Sequence, residues 1–345
     1  MNAADALPPA SPGARADALP ANDADGGPDH PASPAAPTRD HGGGLDAAMA
    51  LYGGTREDWL DLSTGINPVP YPLPAISDHA WTALPDRAAT EALATAAGRF
   101  WRVPEGAEVI PAPGLSALIA RLPHALGASA VRIPAPTYNE YAASFAQAGI
   151  PLTDDPSAPA VLVHPNNPTG RLWPAETLPP LAVLDESFCD TTPTQSHVAR
   201  TATPGTLVLK SFGKFWGLAG LRLGFAMLHT GPIATRLRES LGPWPVSGPA
   251  LAIGTAALND PAWAEVTRAR LAQASARLDA LLTAHGASVI GGTDLFRLYE
   301  VDDAQAWHDR LARHHILSRV FPYSRTWLRL GLPAPDRWSQ LESAL

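Results

Sequence analysis

Six short apolar runs that lack polar alternation lie between residues 107 and 227, and helical patterns separate several of them. A strand with one face in water alternates apolar and polar residues, whereas a strand covered on both faces is apolar throughout. Strands covered by helices on both faces are typical of parallel sheets. We therefore predict an α/β chain with a mostly parallel central sheet, whose strands lie within residues 107–114, 130–136, 160–170, 181–187, 206–212 and 221–227.

The pattern changes after Pro249, where a long amphipathic helix is predicted over roughly residues 261–285. Strand patterns and one further helix follow it to the C-terminus, and these elements predict a smaller α+β domain. We therefore predict a large domain over 81–248, a small domain over 249–345, and an N-terminal segment over 41–80 that joins the small domain.

The first forty residues consist mostly of Ala, Pro, Asp and Gly. A segment of this composition cannot bury enough apolar surface to offset the entropy of the chain, so we predict that residues 1–40 form a disordered tail. The segment also lacks the basic region and the apolar region of a secretory signal.

Charge and cysteine content restrict the partners of the chain. Its 345 residues carry a formal net charge of −8 without a basic run, which argues against a nucleic-acid or membrane-surface partner. No apolar run is long enough to span a bilayer. A single cysteine, Cys189, rules out an intrachain disulfide and a multi-cysteine metal site. We expect a cytoplasmic protein without a bound metal.

The stretch LVLKSFGKFWGLAGLRLGF, residues 207–225, contains both lysines of a chain that otherwise uses arginine. Unlike arginine, a lysine amine can lose its proton and attack a carbonyl group to form a Schiff base. A lysine retained in a glycine-rich turn is therefore a candidate nucleophile, although a surface lysine spared by drift is the alternative. Lys210 lies at the end of the predicted strand, so we expect a structural or solvent-facing role for it, whereas Lys214 lies in the turn.

Around Lys214 the segment SFGKFWGLAGLR resembles the signature of pyridoxal-phosphate enzymes of the aspartate aminotransferase fold. The resemblance implies that Lys214 binds the cofactor covalently and that Ser211 and Arg222 hold its phosphate. HPNNPTG resembles the loop whose second asparagine, here Asn167, donates to O3′. VLDES places Asp185 where the family has the carboxylate that faces the pyridine nitrogen and keeps the ring protonated.

Three other stretches match the same family in order. PGLSALI implies a phosphate contact by the Leu115 amide and by Ser116, although an ordinary helix N-cap is the alternative. PTYNEY implies that Tyr138 stacks on the pyridine, unless it is a core tyrosine. TWLRLGLP implies that Arg329 binds the substrate α-carboxylate through two hydrogen bonds.

Within this fold the chain resembles two families, the histidinol-phosphate aminotransferases and the L-threonine O-3-phosphate decarboxylases of cobalamin biosynthesis. The HGG stretch and LDLSTGINP resemble the decarboxylases, as does Phe188, which replaces a tyrosine common in the fold. We predict that Asn67, in the second of these stretches, contacts the substrate. We expect decarboxylation to (R)-1-amino-2-propanol O-2-phosphate. Transamination of the histidinol-phosphate type is the alternative, and a non-catalytic partner subunit is a further one.

The proposed substrate, a small phosphorylated amino acid, needs a second cationic site for its phosphate. Arg319 is our first candidate and Arg325 the competing one, and a solvated strand-edge charge is the alternative for both. The segment from His41 through Gly42 to Gly43 is expected to close over the same group, because glycine amides can approach a phosphate closely. The resemblance also implies a homodimer, although Leu84 replaces the tyrosine with which many relatives reach the neighbouring subunit's phosphate.

Overall fold

In the computed structural model, which describes residues 41–345, a five-stranded sheet forms the centre of the fold. The predicted disordered tail over residues 1–40 lies outside the described residues. The strands, in chain order, are β1 (Leu60–Asp61), β2 (Ala107–Ala112), β3 (Ala160–Val163), β4 (Ala182–Asp185), β5 (Thr206–Ser211), β6 (Gly224–His229), β7 (Ser288–Thr293), β8 (Phe296–Glu300), β9 (Ile316–Leu317), β10 (Arg319–Phe321) and β11 (Ser324–Gly331).

Helices connect the strands and pack against the two larger sheets or against each other. They are α1 (Leu45–Tyr52), α2 (His79–Thr82), α3 (Arg87–Phe100), α4 (Leu115–Ile119), α5 (Leu122–Leu126), α6 (Asn139–Gln147), α7 (Pro232–Leu241), α8 (Gly248–Leu258), α9 (Pro261–Ala284), α10 (Ala304–Arg313) and α11 (Trp338–Ala344). Short 3-10 helices cover Ala175–Thr177, Cys189–Thr191, Pro193–Gln195, Val198–Ala202 and Ala219–Leu221. No helix within residues 41–345 is both long and apolar enough to cross a membrane.

The central sheet has the strand order β2-β6-β5-β4-β3, and β6 is its one antiparallel member. All four residues of β3 and of β4 are buried, as the unbroken apolar runs predict. The α/β class and the mostly parallel sheet are therefore confirmed. The carboxyl ends of β4 and β5 meet at one edge of the sheet, and Asp185 and Ser211 are their last residues.

Two predicted elements differ from the structure, and proline accounts for both. Residues 130–136 contribute only isolated bridges, at Val131 and Arg132, because the prolines that follow lack the N–H that a strand ladder needs. The helix predicted after residue 114 is split into α4 and α5, since Pro123 cannot donate to the Ile119 carbonyl. The Ser144 hydroxyl donates to that carbonyl instead, at 2.9 Å.

The C-terminal strands form an antiparallel sheet with the order β10-β11-β8-β7, and α9 leads into it. The N-terminal segment contacts this part of the chain, because β1 pairs in parallel with β9. Residues Arg39–Leu345 form one compact unit, and the domain bounds drawn from the sequence stay a prediction. The candidate site lies between the central sheet, the antiparallel sheet and residues 41–67.

Candidate active site

Most of the predicted site residues meet at the edge of the central sheet where β4 and β5 end. Ser211 on β5 lies opposite Gly224 on β6, and Gly224 lies opposite Ala112 on β2. Strands β2 and β5 end at this edge and β6 begins there, so each of the three is joined directly to a turn or a helix start. Ligand sites of open α/β sheets form outside the carboxyl ends of the strands, and this edge has that arrangement.

Lys214 lies in the turn that follows β5 and is half-buried. Burial, together with the positive charges of Arg329 and Arg222, lowers the pKa of Lys214 to about 8, and the Asp185 carboxylate opposes the shift. The amine can therefore reach its nucleophilic neutral form close to neutral pH. The Phe188 ring lies 5.5 Å from Nζ and keeps one side of the amine apolar.

The Asp185 carboxylate is buried at the end of β4 and accepts three hydrogen bonds. Tyr141 donates its hydroxyl to Oδ2 at 2.7 Å, and Ser187 donates its amide to Oδ1 at 2.9 Å and its hydroxyl to the same atom at 2.5 Å. Burial raises the pKa of Asp185, while the bonds from Ser187 and Tyr141 oppose that rise and favour the charged form.

Sequence reasoning missed both of these donors. Tyr141 follows Tyr138 by three residues at the start of α6, so the two side chains lie on the same side of the helix, and their rings are 6.1 Å apart. That spacing is a signal that could have identified Tyr141. Ser187 lies two residues after Asp185, a spacing at which a serine can hydrogen-bond back to a carboxylate.

An anion cradle lies between β2 and β6. Gly114 has φ +82°, and a Cβ atom there would lie 2.7 Å from the Arg222 Nη2 atom. A Cβ atom on Gly224 would lie 2.8 Å from the Leu115 amide nitrogen. The two glycines therefore leave space in which the Arg222 guanidinium and the Leu115 amide approach the same region.

Two further predicted phosphate ligands lie at this cradle. Ser211, next to Gly224 in the sheet, accepts the Gly213 amide on Oγ at 3.3 Å. Ser116 lies in the first turn of α4 and is exposed. A dianionic phosphate needs several N–H and O–H donors and one cation, and the chain presents that set here.

Arg329 lies on β11 and is buried. Its Nη1 group donates to Asn167 Oδ1 and its Nη2 group donates to the Ser63 carbonyl. Its buried Nε atom has no hydrogen-bond partner among residues 41–345. Burial and the nearby Arg319 lower the pKa of Arg329 to about 10. A buried cation with an unused donor needs an anion, and an α-carboxylate provides one.

Asn167 uses its amide oxygen for Arg329, so its amide nitrogen is the donor that stays available for a ligand. This agrees with the donor role that the sequence implies for Asn167.

Arg319 lies directly opposite Arg329 in the antiparallel pairing of β10 and β11, so both side chains point to the same face of the sheet. Two like charges in this position repel each other. Its competitor Arg325 is exposed near the start of β11, four residues before Arg329. The structure therefore brings Arg319, and not Arg325, next to Arg329, the residue predicted to bind the α-carboxylate.

The segment that begins at His41 contacts the same region from the other side. A Cβ atom on Gly42 would lie 2.4 Å from the Ser63 carbonyl oxygen, and Gly43 donates its amide to Ser63 Oγ at 2.7 Å. His41 Nε2 lies 2.9 Å from a Glu140 carboxylate oxygen, and its ring centroid lies 6.0 Å from that of Tyr138. The three residues thus lie beside Ser63, whose carbonyl accepts from Arg329, and beside the predicted ring-stacking tyrosine.

Asn67 is buried and uses its side chain within the chain. Its Nδ2 group donates to the Phe215 carbonyl at 2.8 Å, and its Oδ1 atom accepts from Arg270 at 2.9 Å. Its backbone amide donates to the Lys214 carbonyl at 3.0 Å. These contacts fasten the N-terminal segment to the Lys214 turn, and a direct substrate contact by Asn67 stays a prediction that they do not support.

An aromatic pair lies close to both Lys214 and Arg329. Phe188 and Phe296 meet edge to face with ring centroids 4.9 Å apart. Phe296 also lies 5.2 Å from the Arg329 guanidinium. Phe188 has no hydroxyl, so the hydrogen bond that a tyrosine would make at this position is absent.

Of the two roles expected for Lys210, the structure agrees with the structural one, and the solvent-facing one is wrong. Lys210 is buried, and its Nζ atom lies 2.8 Å from Glu186 Oε2 and 3.2 Å from Asp190 Oδ1. Burial alone would lower the pKa of Lys210, but the Asp190 and Glu186 carboxylates raise it. Its side chain projects to the opposite sheet face from its neighbours Leu209 and Ser211, because successive strand residues alternate.

The residues gathered here fit pyridoxal phosphate. The glycine-lined cradle with Arg222 suits a phosphate group, the buried Asp185 carboxylate suits a protonated pyridine nitrogen, and the Lys214 amine suits a carbonyl carbon. The unused Arg329 Nε donor would suit a further anionic ligand.

Comparison with known proteins agrees with this arrangement. The sequence model of the family Aminotransferase class I and II matches residues 152–342. The chain is 44% identical to the threonine-phosphate decarboxylase of Sinorhizobium sp over 86% of its own length and 93% of that protein. It is 42% identical to the threonine-phosphate decarboxylase of Pseudomonas aeruginosa over 89% and 97% of the two chains.

Solved structures share the fold. The histidinol-phosphate aminotransferase of Sinorhizobium meliloti in complex with pyridoxal-5'-phosphate superimposes with a TM-score of 0.71 at 20% identity, covering 88% of this chain and 93% of the other.

Proposed function

The chain belongs to the aminotransferase class I and II family, and we propose that it is a pyridoxal-phosphate-dependent decarboxylase that converts L-threonine O-3-phosphate into (R)-1-amino-2-propanol O-2-phosphate and CO2. The names of the relatives at 44% and 42% identity support this reaction. The observation that supports a substrate with two anionic groups is the cross-strand pair of Arg319 and Arg329. A substrate with both a carboxylate and a phosphate would present one anionic group to each of these two adjacent cations.

Each residue of the site has a task in this reaction. Pyridoxal phosphate, when bound, accepts the electrons released at the substrate α-carbon. Asp185, kept charged by Tyr141 and Ser187, favours the protonated pyridine nitrogen. Arg329 orients the α-carboxylate, and Lys214, with a pKa of about 8, can supply a proton to the α-carbon after CO2 has left.

The direct test is incubation of the cofactor-loaded protein with O-phospho-L-threonine. We expect release of CO2 and formation of aminopropanol phosphate, and we expect Lys214→Ala to abolish both. Formation of a keto acid in the presence of 2-oxoglutarate, or conversion of histidinol phosphate to imidazole-acetol phosphate without CO2 release, would replace the proposal with an aminotransferase. A bound cofactor without either turnover would favour a non-catalytic partner subunit.

The phosphate site has its own test. Arg319→Ala should raise KM for O-phospho-L-threonine by one to two orders of magnitude, because a charge-assisted contact contributes roughly 1.5–3 kcal/mol. The matched control is Arg325→Ala, which removes the same charge from an exposed position on the neighbouring strand. Equal effects of the two substitutions would show that Arg319 makes no specific phosphate contact.

We further infer that the protein is a homodimer. Three apolar side chains near α2 are largely exposed, namely Leu73 (66%), Trp81 (69%) and Leu84 (68%), and Trp244 (58%) precedes α8, which packs against α2. Large exposed apolar patches mark protein interfaces. Light scattering should give twice the chain mass, and Trp81→Glu should reduce it. Val266→Glu, an equally exposed position on α9, is the control.

The cytoplasm is the compartment that we propose for this reaction, since the lone Cys189 is a free, buried thiol. In that setting the product would serve as the aminopropanol phosphate linker of cobalamin.

A further inference from the structure

A second cavity lies outside the site described above. It has a volume of about 530 Å³ and lies between the end of α3, the loop over residues 190–196 and the junction of α8 and α9. None of the residues assigned above to the cofactor or the substrate lines it. Its volume lies in the range of small-ligand sites, roughly 300–1,000 Å³.

Basic side chains predominate around this cavity. Arg99, Arg102, Lys210 and Arg268 line it, against two acidic residues, Asp190 and Glu265, in a chain whose formal net charge is −8. The charge of Lys210 is already compensated, because its ammonium group contacts Asp190 and also Glu186 behind the cavity wall. The excess positive charge therefore belongs to the three arginines.

Among residues 41–345 these arginines form no ion pair. No carboxylate of residues 41–345 lies within ion-pair distance of Arg99, Arg102 or Arg268. Arg99 donates to the neutral Asn259 side chain at 3.1 Å, and Arg268 donates Nε to the Asp190 carbonyl at 2.8 Å. Three guanidinium groups around one concave surface favour an anion that can contact more than one of them.

The backbone at Arg102 is a second, independent observation. Arg102 follows the C-cap of α3 with φ +55°, a left-handed conformation in which glycine is the usual residue. An arginine here costs conformational energy that a glycine would avoid. The cavity explains the presence of arginine at residue 102, because arginine provides a guanidinium group that glycine lacks.

The remaining lining residues indicate that a ligand also has an apolar part. Phe100, Trp101 and Pro261 present apolar surfaces beside the guanidinium groups. A ligand that satisfies both features has two or more negative charges on a short carbon skeleton. We propose that this cavity binds a small organic dianion, a phosphate ester or a dicarboxylate, at a site distinct from the active site.

The test is calorimetric titration of the cofactor-loaded protein with glycerol 3-phosphate and, separately, with succinate. Either ligand should bind at millimolar concentration or below, while the monoanion propionate should not, and the ligand that binds more tightly identifies the class. Arg99→Gln combined with Arg102→Gly should raise its Kd about ten- to a hundredfold, as loss of charge-assisted contacts does. The same variant should unfold at an equal or higher temperature, because glycine suits the backbone at residue 102.

Two control variants test whether binding depends on the cavity arginines and not on arginines elsewhere. Arg200→Gln with Arg313→Gln removes two exposed arginines elsewhere and should leave Kd unchanged. Arg319→Ala should also leave it unchanged, and loss of binding in that variant would assign the ligand to the active site. Absence of binding to the wild type, unaltered binding to the cavity variant, or equal weakening in the Arg200 and Arg313 control would each overturn the proposal. The readouts are binding constants and an unfolding temperature, so they do not depend on which reaction the protein catalyses.

Discussion

Among the individual residues, Asp185 shows how burial and hydrogen bonding together set a charge. Burial alone would favour a neutral carboxyl group, which could not keep a pyridine nitrogen protonated. The donors on Tyr141 and Ser187 counteract burial, and the Tyr141 hydroxyl is itself buried beside the carboxylate, which raises the pKa of Tyr141 and keeps it a donor. Control of the charge of Asp185 thus rests on two residues, Tyr141 and Ser187, that lie outside the predicted set of site residues.

Tyr141→Phe tests this arrangement. Loss of one hydrogen bond to a charged group, roughly 1.5–3 kcal/mol, should lower kcat about ten- to a hundredfold while KM changes little. The control is Tyr299→Phe, which removes a similar hydrogen bond of 2.9 Å from Tyr299 to Asp279 on the C-terminal side of the chain. Both variants should lose some stability, but only Tyr141→Phe should lose turnover. Equal kcat values in the two variants would contradict the role of Tyr141.

Lys214 links pH to stability in the cofactor-free protein. Its pKa is about 8 in the folded chain and about 10.4 when unfolded, so the folded state binds the proton less well than the unfolded state. The resulting cost is fully present below pH 8 and disappears as the pH rises towards 10. The free energy of unfolding of the wild type should therefore increase relative to Lys214→Met over this interval, as measured by urea denaturation. A constant difference would show that Lys214 titrates normally.

For the secondary-structure elements, the turn from β2 into α4 determines the anion cradle. Gly114→Ala would place a methyl group 2.7 Å from the Arg222 guanidinium, in a backbone with φ +82°. We expect the cofactor dissociation constant to rise at least about tenfold, because the displaced guanidinium loses a charge-assisted contact. The measurement is equilibrium dialysis against pyridoxal phosphate.

Gly127→Ala is the matched control for that substitution. Gly127 also has a positive φ, +61°, but a Cβ atom there would have no neighbour within 4 Å. It should therefore show the backbone strain, about 1–3 kcal/mol of stability, without a change in cofactor affinity. A similar loss of affinity in both variants would indicate strain, and not the displaced guanidinium, as the cause.

The sequence alone identifies elements better than it identifies contacts between them. The apolar runs that became β3, β4 and β5 were predictable because burial on both faces leaves a clear pattern. The positions of Asp185 and Lys214 beside strand ends were predictable because each lies in a short motif that follows an apolar run. The hydrogen bond from Arg329 to Asn167 and the pairing of Arg319 with Arg329 join residues far apart in the chain. Only the folded backbone brings them together.

For the whole molecule, residues Arg39–Leu345 form a compact unit by themselves. Deletion of residues 1–38, the segment that the sequence predicts to be disordered, should therefore change neither the melting temperature nor kcat/KM appreciably. Calorimetry and the decarboxylase assay on the truncated chain provide the measurement. A marked loss in either would show that the segment contributes to the folded state or to the site.

Two tryptophans at the Lys214 turn lie close enough to affect the circular dichroism of the protein. Trp216 stacks on Trp263, the third residue of α9, with ring centroids 5.2 Å apart and an angle of 12° between their planes. Two indole chromophores this close share their electronic excitation, so their circular dichroism near 280 nm depends on the angle between them. Any rotation of α9 against the lysine turn would alter that signal. The chain therefore carries an intrinsic, label-free spectroscopic signal that reports on the contact between the Lys214 turn and α9.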